Sequence, residues 1–279
     1  KYSNEQLDEV DVYINSTIRE KIVAIPEKDR HHFQDMSMRK IINNKNIGNI
    51  FYKLYYKYIK KQKQEYSHIF NHVTRYLNMW INRKRLEKYY SKFDTTDHNY
   101  VYFPFHVQLD YSLTIRSTEY LNQLSLVEYV SQTLPSGYFL YIKEHPASIG
   151  GFKYRSVRDI MKKCNNIKFI HPAENSHNIV QNADAVLTIN SKVGAESIVS
   201  GKEVIALGSS FYQYSRSIWK VDSLQQVEGI LYQILKNNKK RNTHNNSVFY
   251  KVWRASYQIE LYNNSTINII NTAKYLTRM

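Results

Sequence analysis

Residues 185–200 read AVLTINSKVGAESIVS, and this stretch decides the fold class. An apolar run, Ala185 to Ile189, ends at the polar pair Asn190 and Ser191, and a segment with helical spacing begins directly afterwards. A short apolar run that passes through a polar turn into a helix is typical of a parallel sheet. We therefore expect a buried strand whose carboxyl end carries polar side chains.

The same strand-to-helix unit recurs through the middle of the chain. Four further apolar runs predict strands, and the amphipathic segments between the runs predict helices. The predicted strands are Tyr100 to Phe105, Tyr138 to Ile142, Ile167 to Ile170 and Val204 to Leu207, and the predicted helices are 117–133, 156–163, 176–182, 193–200 and 224–235. This alternation is typical of a Rossmann-like α/β domain, with a parallel sheet and helices on both faces.

The flanking regions have a different texture. Charged and aromatic residues recur at helical spacing in residues 1–98, where Gly48 is the only glycine. We predict a mainly helical region at 1–98, the Rossmann-like domain at 99–236, and a polar linker with closing helices at 237–279.

The formal net charge of +15 at pH 7 favours an anionic partner. Nucleic acid, an anionic membrane face and a phosphate-bearing substrate all satisfy this condition. The basic, tyrosine-rich segments 51–63 and 83–92 are most simply solvated helical faces, and a membrane-surface or polyanion contact is the alternative.

The single cysteine, Cys164, excludes an internal disulfide and any zinc site built from several cysteines. No run approaches the roughly 20 apolar residues that a membrane-spanning helix needs. We expect a cytoplasmic protein, either soluble or bound peripherally at the inner face of the membrane.

Ligands of open α/β sheets bind beyond the carboxyl ends of the strands, so polar residues at those ends are the candidates. Lys143, His145 and Pro146 follow the strand at 138–142. Pro146 restricts the backbone of His145, so the imidazole can donate to a phosphate oxygen, and Lys143 adds positive charge. The alternative is a histidine that merely packs against the next helix.

Asn190, Ser191 and Lys192 lie where a strand meets a helix, and such a helix start can bind a phosphate. Ser191 could equally be an ordinary helix cap. Gly194 allows a close approach, and Glu196 either accepts hydrogen bonds from ribose hydroxyls or is a surface residue.

Two further strand ends carry candidate residues. Ser209 and Tyr212 follow the strand at 204–207 and could contact the same ligand, although a plain turn would look alike. His106 and Asp110 follow the strand at 100–105. Asp110 is a candidate nucleophile or general base, and its alternative role is a helix cap.

Taken in order, these elements resemble the capsule polysaccharide synthesis family of bacterial glycosyltransferases, which includes Kdo transferases that use CMP-Kdo. The matching elements are Phe103-Pro104-Phe105-His106 with Asp110, Lys143 to Pro146, Asn190 to Glu196, and Glu203-Val204 through Gly208 to Tyr212. The chain departs from the family pattern at His106, where Gln is usual, and at Glu203, where Pro is common.

The resemblance implies the C-terminal, donor-binding half of a two-domain (GT-B) enzyme that moves an acidic sugar, Kdo, from CMP to a saccharide or glycolipid acceptor. His145 and Ser191 would hold the donor phosphate and Glu196 the ribose. Asp110, with His106 beside it, would act as nucleophile in a retaining enzyme or as base in an inverting one. The resemblance requires no metal and no cofactor besides the sugar donor.

Several alternatives stay open. The enzyme could be sialyltransferase-like, or it could use a UDP- or dTDP-sugar. The chain could also be a non-catalytic basic module that binds nucleic acid or membrane, although nucleic acid is not the expected partner. Because the chain begins at Lys1, an upstream acceptor domain could be missing, and the fragment would then bind donor without transferring it.

Overall fold

The computed structural model describes residues 5, 8, 10–12, 44–62, 69–241, 249–252 and 266–276. The helices in these ranges are α1 (Asn44–Tyr58), α2 (Ile69–Leu86), α3 (Tyr111–Thr114), α4 (Gln123–Thr133), α5 (Tyr154–Lys163), α6 (Ser176–Asn182), α7 (Lys192–Val199), α8 (Gln225–Leu235) and α9 (Thr266–Leu276). The strands are β1 (Tyr90–Ser91), β2 (Tyr100–Pro104), β3 (Phe139–Lys143), β4 (Ile167–Ile170), β5 (Ala185–Thr188), β6 (Glu203–Ala206) and β7 (Ile218–Lys220). Short 3₁₀ turns occupy Glu87–Tyr89, Thr118–Tyr120 and Pro146–Ser148.

The described strands form one parallel sheet in the order β1-β4-β3-β2-β5-β6-β7. β2 lies between β3 and β5, and from there the chain proceeds first to one side of the sheet and then to the other. In open α/β sheets this reversal of strand order opens a crevice at the carboxyl ends. The junction of β2 and β5 is therefore the place where a ligand is expected.

Alternate residues of each strand face opposite sides of the sheet, and both sides are covered. Val101 and Phe103 of β2 face a large core that includes buried side chains of α4, α5 and α8. Tyr100 and Tyr102 face a smaller core with α6. Ile198 of α7 extends this second layer over β6. The predicted Rossmann-like class, with helices on both faces, is confirmed.

All five predicted strands are present, with each end within one residue of its predicted position. The predicted helix at 117–133 is wrong as a single element, because α4 begins only at Gln123. Asn122 caps α4, since its side chain accepts from the Ser125 backbone N–H at 3.2 Å. The prediction also missed β1 and β7, whose two and three residues are too short to show a clear periodicity.

α2 packs against the α/β layer through Gly150. This residue has φ +77°, and a Cβ there would lie 2.1 Å from the Met79 carbonyl oxygen. The Asn82 amide also donates to the Gly150 carbonyl at 3.3 Å. The stretch predicted to be helical thus contains, besides α1 and α2, a strand of the sheet.

Parts of the flanking predictions lie outside the described residues, namely most of 1–43, 63–68, and much of the linker and closing helices at 242–248 and 253–265. Among the helices that are described, none combines the length and the apolar character needed to cross a bilayer.

Candidate functional site

The loops that follow β2 and β5 are joined by a single amide. Nδ2 of Asn190 donates to the Ser112 carbonyl at 2.8 Å and to Ser117 Oγ at 3.0 Å. Its Oδ1 is buried and has no hydrogen-bond partner among the described residues. Asn190 therefore fixes the β5 end against the loop that carries Asp110, at the reversal of strand order.

The loop after β6 joins the same unit. The Gly208 backbone N–H donates to the Ile189 carbonyl at 2.7 Å, and a Cβ on Gly208 would lie 2.4 Å from Ser117 Oγ. Nη2 of Arg116 donates to the Ser209 carbonyl at 2.9 Å. Ser209, a predicted ligand contact, is therefore tied to Arg116 through its backbone.

Asp110 occupies the N-cap position of α3, yet its side chain makes no capping bond. Its Oδ2 instead accepts from the Ser112 hydroxyl at 2.6 Å, and the residue is exposed. The preceding Leu109 has φ +63°, a conformation that costs a non-glycine residue free energy and that is often found at functional sites. The carboxylate is thus oriented by a neighbour and remains accessible.

His106 is buried beside Asp110, with its backbone held by the side chain of Gln123. The Gln123 Oε1 accepts from the His106 N–H at 2.7 Å, and Nε2 donates to the His106 carbonyl at 3.2 Å. Burial, with a smaller contribution from the nearby His145, lowers the pKa of the His106 imidazole to about 4. The ring is therefore neutral at physiological pH.

The tautomer of His106 follows from its neighbour. Ser112 Oγ lies 3.4 Å from His106 Nδ1, a long contact. Because the only hydroxyl proton of Ser112 goes to Asp110, its oxygen can only accept from Nδ1–H. The other ring nitrogen, Nε2, is then a bare acceptor, and it is buried without a partner among the described residues.

Lys143 does not take the position expected of it. Its ammonium donates to the Glu174 carbonyl at 2.6 Å and to Ser176 Oγ at 2.8 Å, and the residue is only 4% exposed. Burial lowers the pKa of the Lys143 ammonium to about 8. The ammonium is buried and bonded within the fold, so a donor phosphate cannot reach it. This burial corrects the predicted role of Lys143 as a donor-binding residue.

His145 is exposed at the end of β3. Its Nδ1 accepts from the Ala147 backbone N–H at 3.1 Å, within the short turn that Pro146 begins. The imidazole proton is therefore on Nε2, which can donate to an anion. The electrostatic effect of His145 on His106 places the two rings near one another.

Ser191 caps α7, because its Oγ accepts from the Val193 N–H at 3.2 Å. The Tyr212 hydroxyl donates to the Ser191 carbonyl. A Cβ on Gly194 would lie 2.4 Å from that hydroxyl, so the close approach predicted at Gly194 is made by Tyr212. Tyr212 is fully buried. Its side chain therefore positions Ser191, which corrects the predicted role as a ligand contact.

Glu196 lies one turn further along α7 and is half-buried. Burial raises the pKa of its carboxyl group, while the nearby His177 and the exposed Lys192 act in the opposite direction. The carboxyl group is therefore within electrostatic range of His177 of α6 and of Lys192.

Residues 2–219 match the family described as capsule polysaccharide biosynthesis protein. The chain belongs to this family. The resemblance drawn from the four ordered motifs is confirmed at that level.

The individual proteins that the chain matches share modest sequence identity with it and are covered only in part. The chain is 32% identical over 135 residues to Protein FixF of Sinorhizobium fredii, a match that covers 47% of this chain and 32% of that protein. Among solved structures, Anabaena HepE in complex with UDP-glucose has a TM-score of 0.45 at 14% identity, covering 72% of this chain and 53% of HepE. Thermosulfurimonas dismutans KpsC, a beta Kdo 2,7 transferase, has a TM-score of 0.36 at 20% identity, covering 64% of this chain and 60% of that one. The chain thus spans about a third of FixF and a little over half of these two structures.

The departure from the family pattern at Glu203 has a structural reason. Glu203 is buried at the start of β6, and its Oε2 accepts from the Trp219 indole N–H at 2.7 Å. The same carboxylate accepts from the Arg241 backbone N–H at 3.0 Å. It therefore joins β7 and the segment after α8 to the sheet, a role that proline cannot fill.

Four residues that the sequence pattern did not single out hold the site together. Gln123, Ser112 and Ser117 bind the backbone or side chains of the predicted residues, and Arg116 adds an exposed guanidinium at the junction. Arg116 follows Asp110 by six positions in the same loop, and this proximity was the available signal. In the described part of the chain, no three His, Cys, Asp or Glu side chains converge as metal ligands would.

Proposed function

We propose that this chain is the donor-binding half of a GT-B glycosyltransferase that transfers an acidic sugar, Kdo, from CMP to a saccharide or glycolipid acceptor in surface polysaccharide synthesis. The observation that carries the proposal is the Asn190 bridge. It brings the Asp110 loop and the start of α7 together at the reversal of strand order, where α/β sheets bind nucleotides.

A single donor phosphate fits the groups at this junction. His145 can donate from Nε2, and the positive end of the α7 helix dipole lies at Ser191, whose hydroxyl caps the helix. The exposed guanidinium of Arg116 adds a permanent positive charge. These groups would stabilise CMP as it leaves without a divalent ion.

Asp110 is the group that would act on the sugar. In a retaining reaction its carboxylate attacks the anomeric carbon, and the bond to the CMP phosphate oxygen breaks with its electron pair leaving on CMP. The acceptor hydroxyl then displaces the carboxylate, and its proton passes to water. In an inverting reaction Asp110 takes that proton directly. The hydrogen bond from Ser112 orients the carboxylate for either role.

The donor assignment is tested by calorimetry of CMP, UDP and dTDP binding to the wild-type chain and to His145→Ala and Ser191→Ala. We expect CMP to bind best and each variant to weaken it about tenfold, or about 1.4 kcal/mol. His171→Ala is the matched control, because His171 also precedes a proline and its Nδ1 also accepts from a backbone N–H at 3.1 Å. Equal, weak binding of all three nucleotides, unchanged in both variants, would contradict the proposal. Tighter binding of UDP or dTDP than of CMP would show that the donor carries that nucleotide instead.

We propose further that the protein binds peripherally at the inner face of the membrane. α1 buries none of its residues and exposes Phe51, Tyr52 and Tyr55, and the Lys60 ammonium just beyond the helix lies 6.0 Å from the Tyr55 ring. Aromatic rings next to lysines are typical of helices that lie in the lipid interface. We expect the protein to co-sediment with phosphatidylglycerol vesicles at low salt and not with phosphatidylcholine vesicles. Equal sedimentation with both would argue against a charge-assisted contact.

A further inference from the structure

A groove of about 600 Å³ runs between α2 and the loops that follow β2 and β3. Gln108 and Leu109 form its edge on the β2 side, and Asp110 is the next residue of that loop. Gly150 and Gly151, from the loop after β3, also line it. The groove therefore begins at the two residues that precede Asp110 in the loop after β2.

The α2 wall of the groove is hydrophilic. Asn71, Thr74, Asn78 and Asn82 line it and recur every three or four residues, so they share one face of the helix. The Asn82 amide is already bonded to the Gly150 carbonyl and to the Tyr154 N–H. Thr74 and Asn78, in contrast, are exposed. Amide and hydroxyl groups both donate and accept hydrogen bonds, as sugar hydroxyls do. A helix face of this kind is suited to an oligosaccharide rather than to an apolar ligand.

The groove is also cationic. Arg75, Arg85, Lys153 and Arg155 line it, and no Asp or Glu lines it among the described residues. Arg75, Lys153 and Arg155 are exposed and form no ion pair with any carboxylate in the described part of the chain. Arg85 lies over the Tyr154 ring at 5.9 Å. Unpaired guanidinium groups bind carboxylate and phosphate oxygens, often through two hydrogen bonds.

We propose that this groove is the acceptor subsite and that it binds an anionic saccharide, one whose rings carry carboxylate or phosphate groups. The inference rests on the proposed transfer reaction, because it places the acceptor on the α2 side of Asp110 and the donor on the β5 side. The acceptor hydroxyl then approaches Asp110 from the groove while CMP leaves over α7.

The test measures glycan binding separately from nucleotide binding. The wild-type chain is applied to an array of acidic and neutral bacterial surface oligosaccharides, beside the double variant Arg75→Gln/Arg155→Gln. We expect the wild type to capture acidic members in preference to neutral ones, and the double variant to lose about tenfold or more of that signal. Asn78→Leu should weaken capture without changing its salt dependence. Lys84→Gln is the matched control, since Lys84 is an exposed cation of α2 that does not line the groove.

CMP calorimetry on the same variants separates this inference from the proposed function. We expect CMP to bind the double variant as it binds the wild type. CMP could fail to bind the wild-type chain and every variant while acidic glycan capture still depends on Arg75 and Arg155. That result would contradict the proposed CMP donor and support the saccharide groove.

Four results would overturn the groove assignment. They are capture of neutral glycans as strong as that of acidic ones, absence of all glycan capture, full capture by the double variant, and loss of CMP binding in the double variant. A fifth contradicting result could come from binding to phosphatidylglycerol vesicles. If vesicle binding depends on Arg75 and Arg155 while glycan capture does not, the groove binds a lipid headgroup and the inference is wrong.

Discussion

The tripeptide His-Pro-Ala occurs twice, at 145–147 after β3 and at 171–173 after β4. Each histidine accepts at Nδ1 from the backbone N–H of the alanine, at 3.1 Å in both cases. The local structures are alike, yet the surroundings differ. β3 lies beside β2, whereas β4 lies beside the edge strand β1.

This difference in strand position separates the two histidines. His145 lies close enough to His106, beside Asp110, to affect its pKa. The Nε2 of His171 lies 3.5 Å from Glu87, and its ring packs edge-on against Tyr90. The His-Pro-Ala motif therefore marks a strand end, while the order of the strands decides whether that end lies near Asp110.

Substitution of Asp110, which follows β2, is expected to lower the rate of sugar transfer more than any other change. Asp110→Asn should lower sugar transfer about a thousandfold, because the amide can neither attack nor accept a proton, while CMP affinity stays within twofold. The measurement is transfer from a CMP-sugar donor by the intact enzyme, with calorimetry of CMP alongside. Glu119→Gln, an exposed acid near the same loop, is the control. Full transfer by Asp110→Asn would remove this residue from the mechanism.

A second prediction concerns Lys143, which is buried although His145 of the same motif is exposed. Lys143→Met should lower the free energy of unfolding by about 2 kcal/mol, because Ser176 Oγ and the Glu174 carbonyl lose their buried partner. CMP affinity should stay within threefold. Thermal and denaturant unfolding measure the change. Lys163→Met, at an exposed pair with Glu128, should change stability little. An unchanged stability with a tenfold loss of CMP affinity would place the ammonium on the donor.

The smallest expected effect concerns His106, the neighbour that distinguishes His145 from His171. Its pKa of about 4 in the folded state lies below the ordinary 6.5, so the unfolded chain binds a proton first as the pH falls. This contribution to the free energy of unfolding is fully present above pH 6.5 and is lost progressively between pH 6.5 and 4. The loss amounts to roughly 2 kcal/mol near pH 5.

His106→Gln removes this titrating group and restores the residue usual in the family. We therefore expect the variant to lose less stability than the wild type between pH 7.5 and pH 5, as measured by urea unfolding. His171→Gln, at a half-buried site, serves as the comparison. Identical acid profiles for His106→Gln and the wild type would show that the His106 ring is not held neutral.

Much of the fold could be predicted because its signals are local. Five strands followed from apolar runs bounded by polar turns, and Asp110 was identified by its place after β2. β1 and β7 are too short for a pattern and exist through their partners β4 and β6. The helix expected at 117–133 is interrupted because Asn122 caps α4, and the side chain of Gln123 is used to hold His106.

The candidate site was predicted less completely, because side-chain direction depends on the packed fold. Lys143 and His145 belong to one motif, but only His145 remains exposed. Tyr212 was expected at the ligand and instead holds the Ser191 carbonyl from a fully buried position. These contacts join residues from different strand-end loops, so no sequence window contains both partners.

Residues that are neighbours in the chain set the alternation of strands and helices, the family motifs, and the polar character of the strand ends, so these features can be predicted without coordinates. The packed fold decides which strand ends meet, which His-Pro-Ala lies near His106, and that a cationic groove begins at the residues before Asp110. Those outcomes depend on the order β4-β3-β2-β5-β6 and on the packing of α2 at Gly150, where residues far apart in sequence come within contact.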